Sequence, residues 1–197
     1  MYYWVGYSGS EKYCYAANNN SFVAFNQSIC DVCGRTIYMP QFISSVPHLQ
    51  LDGGRIFPDF LQFCGAGERM FLISETALKI FEENHISGYS TYCEVVVEPY
   101  IKRGLQSKQP RYYQLKILGR IDFNLSAMCL KRKRKCTACG QFDWNRQRIY
   151  PKILDPTTWD LSDLCLVASF PGTIVCSDTI AKLVKEHNLS GLDLKPA

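Results

Sequence analysis

Two short segments, Cys30-Asp31-Val32-Cys33-Gly34 and Cys136-Thr137-Ala138-Cys139-Gly140, constrain this chain more than anything else in it. Two cysteines three apart can present both thiolates to one metal ion from a single tight turn. A glycine after the second cysteine gives the backbone the positive φ that aims amides back at the sulfurs. Together, Cys30, Cys33, Cys136 and Cys139 supply the four sulfurs of a closed tetrahedral structural zinc site, which keeps no open position for substrate. Cys33 and Cys136 are far apart in sequence, so a shared ion would clip an early segment to the second half and close a long loop. Two metal-free reduced pairs, or a disulfide or redox role, are the alternatives that spacing leaves open.

The other cysteines bear on the compartment. Ten cysteines would suggest disulfides in a secreted chain, yet residues 1–7 show neither a basic start nor a continuous apolar run. A cytoplasmic protein with reduced thiols and no membrane partner is therefore expected. Cys93, Cys165 and Cys176 lie in apolar runs and read as small core hydrophobes; Cys14, Cys64 and Cys129 receive no role. The 197 residues, 47% of them hydrophobic, suffice for one domain with a sizeable core, taken here as 1–197. The net charge of +4 is mild but uneven, with five cations in a row at Lys131 to Lys135. That run can grip phosphate, lie solvated in a loop, or offset the negative charge of a zinc tetrathiolate at Cys136. No aromatic residues interleave it for base stacking, which weighs against nucleic acid as a partner.

The chain echoes itself. Ser74 to Gly88 resembles Ser177 to Gly191, and each stretch follows its knuckle at similar spacing. Two pseudo-repeats are predicted, about 30–91 and 136–194, each a knuckle, an irregular connection, a short strand and a capped helix. Ser74 and Ser177 are the expected N-caps, with Glu75 and Asp178 favoured by the helix dipole. Gly88 and Gly191 are the expected left-handed helix stops. Ala77, Leu78 and Phe81 form one apolar stripe, and Ile180, Leu183 and Val184 the other. Tyr92–Glu98 and Arg111–Leu118 alternate as a hairpin around a polar loop at 101–110. Residues 40–67 show no clean period and read as irregular structure packed on the core. The predicted fold class is α+β, a mixed sheet with few helices whose two strand-helix halves are joined by the knuckle pair.

Catalytic signatures are missing from the sequence. His48, His85 and His187 are the only histidines, and the last two fall at helix ends where a ring covers core or a cation meets the dipole. The glutamate and Pro-Cys elements of a zinc deaminase, a Gly-x-Ser-x-Gly elbow, a P-loop and a dinucleotide fingerprint are all absent. Asp52 and Asp59 are acidic, but spacing does not pair them. No enzyme activity is expected.

The paired knuckles, followed by Ile153-Leu154-Asp155, Asp163-Leu164, Thr173-Ile174-Val175-Cys176-Ser177 and Leu189-Ser190-Gly191-Leu192, resemble the double-CXXCG-motif family of bacterial toxin-immunity proteins. Where that family often has proline after the first cysteine, Asp31 and Thr137 stand here. The resemblance implies a cytoplasmic protein that binds and silences a cognate protein toxin. Its surface would be rigid and would carry contact anchors rather than a reaction centre. The 40–67 segment, the 101–110 loop and the basic run are the candidate contact regions. A zinc-stabilised nucleic-acid-binding or regulatory module using residues 131–135 is the competing expectation.

Overall fold

A computed structural model describes residues 1–18, 23–34, 36–42, 48–64, 71–98, 100, 108–124, 126–128, 136–138, 153–168 and 173–197. The fold is α+β and dominated by sheet. In chain order the strands are β1 (Tyr2–Tyr7), β2 (Cys14–Asn18), β3 (Val23–Ile29), β4 (Thr36–Phe42), β5 (His48–Gly53), β6 (Phe60–Leu61), β7 (Phe63–Cys64) and β8 (Phe71–Ser74). Helix α1 (Glu75–Glu83) precedes β9 (Tyr89–Val97), β10 (Tyr112–Ile117), β11 (Gly119–Phe123), β12 (Leu154–Asp155), β13 (Leu164–Val167) and β14 (Ile174–Ser177). Helix α2 (Asp178–Glu186) and β15 (Leu192–Pro196) complete the chain.

The strands form two large sheets and one hairpin. One sheet runs β6-β8-β10-β9-β5-β2-β7. Its first and last strands are parts of one run, broken only at Gln62, so this sheet closes on itself as a small barrel. The interior of that barrel holds Cys14, Ala16, Leu49, Leu51, Leu61, Leu72, Val95 and Tyr112. Among the described residues the second sheet, β12-β11-β13-β14-β1-β15, stays open. The hairpin β3–β4 stands apart and carries the first knuckle in its connection.

The two sheets are cross-wired. Strand β1, from the first half, pairs between β14 and β15 of the second. Strand β10, from the second half, pairs between β8 and β9 of the first. The registers match: Tyr2 lies opposite Ser177 and Tyr3 opposite Cys176, as Tyr112 lies opposite Ser74 and Tyr113 opposite Ile73. Each sheet therefore owes a central strand to the other half, and one large apolar cluster with members from both helices lies between them.

A reciprocal clasp holds the halves at the helix starts. The Asp59 carboxylate accepts from the Ser74 hydroxyl at 3.0 Å and from the Ser190 amide and hydroxyl at 2.9 Å. The Asp163 carboxylate accepts from the Ser177 hydroxyl at 2.7 Å, the Ser87 amide at 3.0 Å and the Ser87 hydroxyl at 2.8 Å. Each aspartate thus ties the helix start of its own half to the Ser-Gly corner of the other. At those corners the backbones nearly touch. A Cβ on Gly88 (φ +89°) would sit 2.3 Å from the Leu164 carbonyl oxygen, and one on Gly191 (φ +98°) 2.2 Å from that of Phe60. No side chain fits there.

Three local expectations need correction. The glycines do not stop the helices. His85 (φ 53°) and Asn188 (φ 51°) take the left-handed position. There the amides of Ile86 and Leu189 donate to Phe81 and Val184, and those of His85 and Asn188 to Glu82 and Lys185, a Schellman closure that aligns an apolar pair. Ser74 caps α1 by accepting from the Ala77 amide, whereas the Ser177 side chain makes no cap bond and gives its hydroxyl to Asp163. The described parts of the 40–67 segment are not irregular. They contain β5, β6 and β7, with Leu49 and Leu51 buried between less buried His48, Gln50 and Asp52. That alternation spans too few residues, beside Gly53-Gly54, to stand out from its turn-rich surroundings.

Replacing Asp59 by Ala is expected to cost about 1–3 kcal/mol, because Ser74 is buried and loses its acceptor. Asp163→Ala should cost a similar amount and Asp52→Ala, at an exposed position, much less; urea unfolding midpoints measure all three.

Candidate metal centre

The β3–β4 connection builds the first knuckle. Cys30 follows β3 directly and is buried, and residues 31–33 form the turn with Cys33 exposed. Gly34 takes φ +67° and returns its amide to the Cys30 carbonyl at 2.8 Å. This is the backbone curl that the glycine was expected to allow. The amides of Cys33 and Val32 donate to the Cys30 sulfur, and these bonds hold that thiol below its ordinary pKa. A lowered thiol is closer to the thiolate that binds metal.

Cys136 arrives from the other end of the chain. Its sulfur lies 3.7 Å from that of Cys30, and the sulfurs of Cys30, Cys33 and Cys136 all fall within 4.8 Å of one another. A disulfide would need about 2.05 Å. Thiolates about 2.3 Å from a tetrahedral zinc sit about 3.8 Å apart, so the observed separation suits sulfurs around an ion. The three cysteines, one buried, one exposed and one intermediate, can hold a metal ion between segments more than a hundred residues apart. Thr137 and Ala138 form a turn after Cys136, as Asp31 and Val32 do after Cys30. Cys139, the fourth expected ligand, lies outside the described residues, as do Lys131 to Lys135 and residues 101–107.

The remaining titratable candidates are otherwise employed. Burial pushes the Cys165 and Cys176 thiols up to about 12. Burial also raises Cys93. Cys93 is only half-buried, whereas Cys165 and Cys176 are core hydrophobes, as read from sequence. Cys14 is likewise buried and directs its thiol at the Gly54 carbonyl. Asp52 accepts from Tyr15 and the Gly53 amide, while Asp59 serves the clasp. His48 opens β5, and His85 and His187 stand exposed at the helix ends. No protein-family model matches the chain, and no curated protein matches it. Among the described residues no helix is long and apolar enough to cross a membrane.

Sequence reasoning missed the clasp. Its signal was present as Asp59-Phe60-Leu61 and Asp163-Leu164-Cys165, each preceding a buried strand and a helix that begins after a serine. Only the fold shows that each aspartate answers a serine in the opposite half.

Cys165 and Cys176 should resist alkylation at pH 8 in the native protein and react fully after denaturation, read by mass spectrometry. Both thiols bind their protons more tightly folded than unfolded. Stability should therefore hold below about pH 9 and fall as pH rises from there towards 12.

Proposed function

We propose that this chain is a cytoplasmic immunity protein: it binds and neutralises a cognate bacterial protein toxin, and a structural zinc ion stiffens it. The observation that carries this reading is the approach of Cys136 to Cys30 and Cys33, from the two knuckles on which the family resemblance chiefly rests. Cys30, Cys33 and Cys136 would hold the ion with Cys139 as fourth ligand. Four thiolates leave zinc no site for water or substrate, so its contribution is to structure. Binding at such sites is on the order of 10 kcal/mol in small peptides, comparable with the whole stability of an ordinary domain.

A stiff, closed scaffold suits tight recognition because little conformational freedom is lost on association. The cross-wired strands, the paired aspartate clasps and the proposed ion all resist separation of the halves. Surface residues on such a frame keep their geometry before the partner arrives.

Co-expression tests the function. The reading frame adjoining this gene should arrest growth when expressed alone, and growth should recover when this chain is supplied, with the two products co-purifying. A neighbouring product that is harmless by itself contradicts the reading.

A further inference from the structure

The shared registers and clasps let each position of the second half be compared with its partner in the first. Ser177 answers Ser74 and Ser190 answers Ser87, so α2 and its flanks align with α1 and its flanks without a gap. Along α1, Leu78 and Phe81 are buried and Tyr89 packs beside them. The corresponding residues on the second side are Ala181, Val184 and Leu192. Helix α2 instead buries Ile180 and Leu183, where α1 has Ala77 and Ile80. Bulk has moved to one flank of the helix, and the other flank is left open.

The consequence is a groove of about 440 Å³ between α2 and the β1–β15 edge. Tyr3, Val184, Leu192 and Leu194 line it and are only partly buried. Its rim carries Asp178, Lys182 and Lys185. Lys182 is paired with Asp178 at 2.8 Å, so the rim holds two cations against one anion. On the first side the corresponding residues are Glu75, Lys79 and Glu82, which reverses the balance. Among the described residues β15 pairs with β1 alone, whereas its counterpart β9 is joined to β5 as well as β10.

We infer that this groove is a docking site for the protein partner of the proposed function, receiving a bulky apolar side chain flanked by carboxylates. The space withheld by Ala181, Val184 and Leu192 takes the apolar group. Lys185, together with Lys182, meets the flanking acids. Apolar anchors seated in a partly formed pocket and ringed by polar contacts are the usual carriers of binding energy. The inference rests on the immunity reading for the partner's role, but the groove's chemistry can be tested without the toxin.

Two arms separate the questions. In the first, the full-length metal-loaded protein is titrated with the peptide Asp-Asp-Trp-Asp-Asp while backbone amide NMR signals are followed. Signals from α2 and β15 should shift, and Lys-Lys-Trp-Lys-Lys and Asp-Asp-Ala-Asp-Asp should each bind at least about tenfold more weakly, the loss expected on removing one anchor or its charge complement. The double substitution Ala181→Leu with Val184→Phe installs the residues of the first half and should abolish those shifts. Lys185→Glu, on the exposed rim, should weaken the acidic peptide without altering the fold. Shifts elsewhere, no shifts, or equal binding by the filled groove would overturn the proposal. In the second arm, the filled-groove and Lys185→Glu proteins are tested against the toxin that the wild type neutralises. Both should protect less well; full protection by both would overturn the assignment of the groove to the toxin. A wild type that neutralises nothing, yet still takes the acidic peptide in the groove, sinks the immunity reading and upholds the docking chemistry.

Discussion

The 3.7 Å between the sulfurs of Cys30 and Cys136 joins two stretches of backbone that chain connectivity leaves far apart. Bare thiolates so close would repel one another, and a cation among them converts that repulsion into cohesion. The amides of Cys33 and Val32 already favour the charged form of Cys30, so the turn is prepared for such an ion. The first knuckle hangs on a hairpin that belongs to neither large sheet. A link through the sulfurs would fix where that hairpin stands.

The remaining cohesion comes from exchange. Strand β1 completes the sheet of the second half and β10 that of the first, while Asp59 and Asp163 each bridge their own helix start to the opposite corner. Neither sheet can assemble its central strand from its own half. The two halves differ in detail. The first closes into a barrel in which buried Tyr112 donates to the Pro58 carbonyl at 2.7 Å. In the second, the Trp159 indole donates to the corresponding Ser162 carbonyl at 2.9 Å, with Tyr2 packed edge-on against it. In each case an aromatic side chain donates to the carbonyl of the residue just before a clasp aspartate.

Much of this was legible in the sequence where chemistry is local. The knuckle turn, the Ser74 cap, the apolar helix stripes and the β9–β10 hairpin all follow from residue type and period. The exchange of β1 and β10 was not legible, because strand partners are chosen by packing among distant segments and a period of two names none of them. Gly88 and Gly191 were assigned a helix-stopping role since a glycine near a helix end usually has it. Here the approach of Leu164 and Phe60 decides the matter, and a histidine and an asparagine accept the left-handed backbone instead. Cys30, Cys33 and Cys136 were legible as candidate ligands from their spacing, but only the fold brings the three sulfurs together.

X-ray absorption at the zinc edge of protein purified without added metal examines the central claim most directly. One zinc per chain, surrounded by four sulfurs at about 2.3 Å, is the result this account requires. Protein that keeps its native fold while holding no zinc, or zinc bound through nitrogen and oxygen in place of sulfur, would contradict it.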